Sequence, residues 1–352
     1  MAKASRSDTL DWQALIDVES LARWMDGQGL GRGPILDVTA LSGGTQNIML
    51  KFTRADRQYV LRRPPPHPRS NSDETMRREM QVLAGLRDSD VPHARLIAAC
   101  PGTEILGCSF YLMEPVAGFN ATVALPALHA GDASIRHRMG LSLIDGLVQL
   151  GRIDYQAAGL EGFGKTDGFL ERQVSRWSKQ LASYRDYAGW PGPAEIPGVE
   201  RVAAWLEKHQ PSGFTPGIMH GDYHLANVMF CNDGPQLAAI VDWELATLGD
   251  PLLDLGLVLT TWPRPDDPTS MKIEPWEGFP DTPELSAHYA ANSGRDLSAL
   301  PWYEVLACFK LGILLEGTFA RACAGQADIR TGERFHARTC ALFRRAVGLV
   351  SN

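Results

Sequence analysis

The sequence has no paired cysteines, no long apolar run and no excess of positive charge. Its six cysteines are scattered over 352 residues without a C-x-x-C pair, so we expect reduced core thiols and neither a zinc knuckle nor a disulfide framework. The N-terminus lacks an apolar signal core. The longest charge-free run, Pro115–Gly131, contains two prolines, whereas a membrane span needs about 20 mostly apolar residues. These absences predict a cytoplasmic protein that does not enter a membrane.

The charge is unevenly distributed. The chain carries 34 Lys and Arg against 41 Asp and Glu, a net charge of −7. Residues 1–113 contribute +1 and residues 114–352 contribute −8. Because nucleic-acid affinity depends on basic surfaces, this balance argues against a nucleic-acid partner. The acidic C-terminal part could attract a polycationic substrate, or its carboxylates could serve catalysis and structure.

Residue patterns predict two lobes. Short strand patterns and one long helical pattern occupy residues 1–113, and helical patterns dominate residues 119–352. We therefore predict an α+β fold, with a small antiparallel sheet in the N-terminal lobe, a hinge at residues 114–118 and a mostly helical C-terminal lobe. The Pro-rich, acidic segment 262–283 is interpreted as a surface loop.

The segment His220-Gly-Asp-Tyr-His-Leu-Ala-Asn carries the most informative pattern. Asp222 and Asn227 are five positions apart, and Asp242 follows an apolar strand pattern. Phosphoryl transfer needs a carboxylate beside the attacking hydroxyl and oxygen ligands for Mg²⁺. Two alternatives remain open at this point: the polar residues could only cap turns, or His220, Asp222 and His224 could hold zinc.

Two blocks, His220–Phe230 and Ile240–Gly256, resemble the signatures of the aminoglycoside phosphotransferase-like family. The resemblance extends over nearly the whole chain and implies a bilobal protein-kinase-like fold. Gly168–Trp177 and Leu315–Arg321 further resemble the kinase-like domain that is fused to some acyl-CoA dehydrogenases. The chain leaves no room for a dehydrogenase domain, so flavin chemistry is not expected.

The resemblance implies roles for individual residues. Asp222 would be the catalytic base or would orient the hydroxyl, and Asn227 and Asp242 would hold Mg²⁺. Arg62 would contact the phosphates, with Glu79 fixing its direction. The usual residue at this strand position is Lys or Arg, and Arg63 follows directly, so which arginine faces the phosphates is left open.

The nucleotide is expected to be ATP, with GTP not excluded. Its covering loop would include Ser42, Gly43, Gly44 and Thr45, and the adenine would meet the hinge at Met113, Glu114 and Val116. Supporting positions are His220, His224 and Glu244, while Asp250 and Asp254 are interpreted as structural.

The expected acceptor is a small-molecule hydroxyl. Arg172 and Arg176 lie four apart on a predicted helix, where two guanidinium groups favour a carboxylate or phosphate on the substrate. The subgroup resemblance also favours a hydroxyacid or hydroxyacyl-CoA over an aminoglycoside. The main alternative is a pseudokinase that binds nucleotide or acyl-CoA without turnover, and a zinc hydrolase is third. The sequence leaves the oligomeric state open.

Overall fold

The structure, a computed structural model, describes residues 16–41, 47–66, 68 and 70–351. Two compact units can be distinguished. The first contains the described residues up to Ala117 together with Val241–Glu244, and the second contains Gly118–Ile240 and the described residues from Leu245 onward. Residues 241–244, Asp242 among them, therefore belong to the first unit, although the sequence pattern predicts them in the C-terminal lobe.

The first unit is built on an antiparallel sheet. Within the described residues, five strands pair in the order β1-β2-β3-β5-β4. Its elements are α1 (Val18–Gly27), β1 (Leu36–Ala40), β2 (Ile48–Arg54), β3 (Arg57–Arg63), α2 (Ser72–Gly85), β4 (Leu96–Cys100) and β5 (Phe110–Met113). Ile48, Leu50 and Phe52 alternate along β2 and are buried against α1 residues such as Leu21. This period of two is the one that the sequence pattern predicts for a half-buried strand.

Helix α2 buries an unusual face. Met76, Met80 and Leu83 follow the helical period and are buried, as the spacing predicts. Glu79 lies on the same face and is fully buried. An acidic side chain is rarely buried without a partner, so its position indicates a buried ionic contact.

The second unit is mostly helical. Its helices are α3 (Ala127–Gly131), α4 (Ala133–Gly151), α5 (Phe169–Ser183), α6 (Val199–Lys208), α7 (Leu252–Thr261), α8 (Thr282–Ser293), α9 (Leu300–Cys323) and α10 (Ile329–Leu349). Its strands are β6 (Gly217–Met219), β7 (Val228–Phe230), β8 (Leu237–Ile240) and β9 (Thr247–Gly249). Strand β6 pairs with β9 and β7 pairs with β8, both antiparallel. These two short pairs flank the segments that carry Asp222, Asn227 and Asp242.

The predicted α+β class, with a small antiparallel sheet and a helical remainder, is confirmed. One interpretation differs from the structure: Trp262, Ile273 and Phe279 of the expected surface loop are buried. Trp262 Nε1 donates a hydrogen bond to the Pro280 carbonyl at 2.8 Å, because a buried indole N–H needs an acceptor. Within the described ranges, no helix is both long and apolar enough to cross a bilayer.

Candidate functional site

In the first unit, Arg62 and Glu79 form a buried ion pair. Arg62 Nε lies 2.8 Å from Glu79 Oε2, and Nη2 lies 3.1 Å from Oε1. Tyr111 is the cross-strand neighbour of Arg62, and its hydroxyl donates to Glu79 Oε2 at 2.8 Å. Because paired residues on adjacent strands project to the same face, strand register brings both side chains to α2.

Strand alternation separates the two arginines. Arg62 pairs with Glu79, whereas Arg63 is buried and its Nε donates to the Pro64 carbonyl at 3.2 Å. Successive strand residues face opposite sides of a sheet, so both guanidinium groups cannot reach α2. The structure therefore assigns Arg62 to the ionic cluster, which the sequence alone left undecided.

Asp242 joins this cluster. Its Oδ1 lies 2.8 Å from Arg62 Nη2, and its side chain is 41% exposed. Its φ of +68° lies in the left-handed region, which is unfavourable for residues other than glycine and is often found at functional positions. Burial alone would lower the pKa of Arg62, but the combined effects of Glu79, Tyr111 and Asp242 raise it above its ordinary value. The guanidinium therefore stays charged. Burial also raises the pKa of the Glu79 carboxyl, against the opposing effect of Arg62.

In the second unit, Asp222, His224 and Asn227 lie in one short loop between β6 and β7. His224 Nε2 is 3.3 Å from Asp222 Oδ2, and Asn227 Nδ2 donates to the same oxygen at 3.0 Å. Asn227 Nδ2 also donates to the Asp222 carbonyl at 2.9 Å, and no partner within the described ranges contacts Asp222 Oδ1. Burial raises the pKa of Asp222, but His224, Lys310 and His220 together lower it below its ordinary value. The loop thus presents an ionised carboxylate whose Oδ1 accepts no hydrogen bond from the described part of the chain.

Two buried charges hold the backbone that leads to Asp222. Asp254 of α7 accepts the N–H groups of His220 at 2.7 Å and of Gly221 at 3.0 Å. Lys310 of α9 donates from Nζ to the Gly221 carbonyl. Burial raises the pKa of Asp254 to about 6, although Lys310 and the two amides oppose that shift. Asp250 accepts the Tyr303 hydroxyl and the Leu252 N–H.

Asn120 holds the part of the same loop that surrounds Asn227. Its Nδ2 donates to the carbonyls of Ala226 at 2.7 Å and Val228 at 3.1 Å, on either side of Asn227. Sequence reasoning missed both Asn120 and Lys310. Lys310 could have been singled out from the sequence, because it is the single charge in the apolar run of residues 305–315. No sequence pattern distinguishes Asn120.

The residues predicted to contact the nucleotide lie only partly within the described ranges. Met113 ends β5, and the Glu114 N–H donates to the Arg95 carbonyl at 2.9 Å. One oxygen of the Glu114 carboxylate lies 3.0 Å from Arg57 Nη2, and Val116 is half-buried. Ser42, Gly43, Gly44 and Thr45 lie outside the described residues. Glu244 follows Asp242 in the short 3₁₀ turn Trp243–Leu245 and is half-buried.

The two arginines of α5 differ in their contacts. Arg172 donates from Nη1 to the Asp167 carbonyl and from Nη2 to the Lys165 carbonyl at 2.6 Å. Arg176 is exposed, and its guanidinium carbon lies 5.0 Å from the Trp177 ring centroid. The helical spacing is as expected, but Arg172 already binds the loop before the helix. Arg176 is therefore the better candidate for contacting a ligand.

The donor atoms fit magnesium better than zinc. In the part of the chain that the structure describes, no group of three or more His, Cys, Asp or Glu could hold a metal ion. Asp242 offers a carboxylate, and Asn227 offers an amide oxygen because its nitrogen is used by Asp222. Mg²⁺ is commonly bound by one or two such oxygens together with substrate phosphates. The zinc interpretation of His220, Asp222 and His224 therefore has no support.

A family model described as the phosphotransferase enzyme family matches residues 37–291. The chain belongs to this family. The matched range contains each of the polar residues described above except Tyr303 and Lys310. The predicted resemblance is thereby confirmed, and the chain is a phosphotransferase-family protein with a kinase-like fold.

Known relatives add two comparisons. The chain is 28% identical over 312 residues to acyl-CoA dehydrogenase family member 10 of Mus musculus, covering 86% of this chain and 28% of the relative. It is 29% identical over 315 residues to family member 11 of Pongo abelii, covering 87% of this chain and 39% of the relative. This phosphotransferase-family chain thus spans well under half of these curated relatives.

Solved structures show the same fold. A Ralstonia eutropha structure assigned as an aminoglycoside phosphotransferase has a TM-score of 0.78 and 27% identity, covering 95% of this chain and 99% of that one. Plasmodium vivax ethanolamine kinase has a TM-score of 0.57 and 14% identity, covering 89% of this chain and 83% of that one. At that identity the second likeness concerns the fold alone.

The backbone conformation of Gly221 leads to a testable prediction about the stability of this phosphotransferase-family protein. Its φ is +82°, and an added Cβ would lie 2.3 Å from the Leu245 carbonyl oxygen. We expect Gly221→Ala to lower the free energy of unfolding by about 2 kcal/mol or more, through left-handed strain and this clash. Gly213→Ala is the control, since Gly213 is exposed and its Cβ position is open. Urea unfolding of both variants tests the expectation, and equal stabilities would contradict it.

Proposed function

We propose that this protein is an ATP- and Mg²⁺-dependent phosphotransferase that phosphorylates a hydroxyl group of a small molecule. The observation that carries the proposal is Asp222. It is ionised, its Oδ2 is held by His224 and Asn227, and its Oδ1 has no partner in the described ranges. A carboxylate held in this way can accept a hydrogen bond, and then the proton, from an attacking hydroxyl.

The remaining polar residues have matching roles in the proposal. Arg62, fixed by Glu79, would bind phosphate oxygens through its guanidinium, and the Glu114 carbonyl and Val116 N–H would bind the adenine. Asn227 and Asp242 would supply oxygen ligands to Mg²⁺, which neutralises phosphate charge when bound. The acceptor oxygen forms a bond to the terminal phosphorus, the bond to the leaving ADP oxygen breaks, and the acceptor proton passes to Asp222.

We propose a hydroxyacid or a hydroxyacyl-CoA as the acceptor, in preference to an aminoglycoside. Arg176 supports this choice, because an exposed guanidinium favours a carboxylate or phosphate over an ammonium group. The names of the relatives, acyl-CoA dehydrogenase family members, also point toward acyl-CoA chemistry. GTP is retained as an alternative donor, and the oligomeric state forms no part of the proposal.

An acceptor screen tests the proposed function. Purified protein with Mg²⁺ and ATP is assayed for ADP release and for acceptors that gain a phosphate by mass spectrometry. The panel compares short hydroxyacids and 4-hydroxyacyl-CoA with kanamycin-type sugars, each with and without EDTA. We expect EDTA-sensitive phosphorylation of the anionic acceptors. Phosphorylation of the sugars alone would overturn the substrate class, and nucleotide binding without turnover would favour the pseudokinase.

Arg176 gives a second test of the substrate class. We expect Arg176→Ala to raise KM for an anionic acceptor about tenfold, the size of one charge-assisted hydrogen bond, with kcat nearly unchanged. Arg185→Ala is the control, because Arg185 is exposed on the turn that follows α5. Steady-state kinetics with varied acceptor measures both values. An unchanged KM in Arg176→Ala would remove Arg176 from the acceptor site.

A further inference from the structure

Lys310 is a buried cation that the proposed mechanism does not use. It lies in α9 within an apolar run and is 7% exposed. Burying an ammonium group is costly unless it is paired and hydrogen-bonded. Its position therefore requires partners strong enough to offset the lost hydration.

Those partners belong to the loop that carries Asp222. Lys310 Nζ donates to the Gly221 carbonyl, and it lies 5.8 Å from the Trp177 ring centroid. The negative charges of Asp222 and Asp254 favour the charged form of Lys310. Lys310 thus contacts the backbone one residue before the proposed base, from a helix almost ninety residues away in the chain.

Side chains hold three successive peptide groups before Asp222. The amides of His220 and Gly221 donate to Asp254, and the Gly221 carbonyl accepts from Lys310. That carbonyl shares its peptide plane with the Asp222 N–H, which donates to His220 Nδ1 at 3.3 Å. Fixing the carbonyl therefore fixes the plane from which the Asp222 side chain starts.

We propose that Lys310 is a positioning residue for Asp222, acting through the Gly221 carbonyl. The proposal rests on the function proposed above, because it assigns Lys310 to the same reaction. Small displacements of a catalytic group cost large factors in rate, so loss of the contact should reduce kcat more than it affects nucleotide binding. The competing explanation is that Lys310 only neutralises Asp254.

Two substitutions separate hydrogen bonding from charge. Lys310→Met keeps a long side chain but removes the donor and the charge, whereas Lys310→Gln keeps an N–H donor without the charge. The matched control is Arg136→Met. Arg136 of α4 is also a buried cation that donates to backbone carbonyls, those of His129, Ala130 and Glu277, and it contacts no part of the 220–228 loop.

Hydrogen–deuterium exchange of the peptide covering residues 219–224 gives a readout that is independent of turnover. In the full-length protein, we expect Lys310→Met to speed exchange of this peptide about tenfold or more and to lower kcat about 10- to 100-fold, with KM for ATP within about twofold of the original. Lys310→Gln should lie nearer the unsubstituted protein in both measurements. Arg136→Met should lose stability without either change.

The outcomes distinguish the two proposals. Unchanged exchange in Lys310→Met would overturn the positioning role, whether or not turnover is detected. Equal defects in Lys310→Gln and Lys310→Met would overturn it in favour of charge neutralisation. If the unsubstituted protein turns over no acceptor but Lys310→Met exchanges faster, the proposed function fails, while the backbone contact on which the inference rests is supported.

Discussion

Replacing Asp222 by Asn is expected to lower turnover by about a thousandfold while leaving ATP affinity unchanged. Asn has nearly the same size and can still accept from Asn227 Nδ2, which contacts Asp222 Oδ2 at 3.0 Å. It cannot take a proton from an acceptor hydroxyl, and positioned bases typically contribute about 10²- to 10⁴-fold. ADP release measures turnover, and titration calorimetry with a non-hydrolysable ATP analogue measures binding.

The matched control for this variant is Asp233→Asn. Asp233 is an exposed acid on the turn between β7 and β8, in the same unit. It should leave turnover unchanged, since it makes none of the contacts described for the loop. Unchanged turnover in Asp222→Asn would remove Asp222 from the role of base. A parallel loss of ATP binding would mean that the substitution disturbs the loop as a whole.

The second large effect is expected from Glu79→Ala, which should lower the free energy of unfolding by about 3–5 kcal/mol. Glu79 is fully buried and accepts from both Arg62 and Tyr111. Its removal leaves a guanidinium and a hydroxyl buried with fewer partners, and breaking a buried ion pair from one side costs an amount of this size. Denaturant unfolding measures the change. We also expect weaker ATP binding, because Asp242 alone would then direct Arg62.

Glu74→Ala on the same helix is the control. Glu74 is 66% exposed on its side chain and lies 3.5 Å from Arg77 Nη1, three residues along α2. An exposed pair of this kind contributes less than about 1 kcal/mol. Similar stabilities for the Glu79 and Glu74 variants would contradict a structural role for the buried pair. Loss of stability with unchanged ATP affinity would confine Glu79 to the fold and leave Arg62 without a proposed phosphate contact.

Local pattern was enough to predict much of the first unit. The alternation in β2 and the spacing of Met76, Met80 and Leu83 in α2 each identify a buried face within a few residues of sequence. Glu79 shares the α2 face, so its burial could be anticipated from the same period. These inferences succeed because period and burial are linked inside a single element.

The five-residue spacing of Asp222 and Asn227 could likewise be interpreted from sequence, since both residues lie in one short loop. The burial of residues within segment 262–283 could not be predicted in this way. Its proline and acidic residues indicate exposure, but Trp262 and Phe279 pack in the interior, with Trp262 bound to the Pro280 carbonyl. Composition describes a segment on average, whereas burial depends on which side chains meet a neighbouring element.

The sequence by itself therefore determined the α+β class, the family resemblance and the placement of Asp222 and Asn227 in one short loop. Only the tertiary structure decided that Arg62 rather than Arg63 meets Glu79, that Asp242 joins them in the first unit, and that Lys310 and Asn120 hold the loop that carries Asp222. The reason is physical. A short-range pattern fixes which face of an element is buried, but contacts between different elements, here 17 to 180 positions apart in the chain, depend on how those elements pack, and no local period encodes that packing.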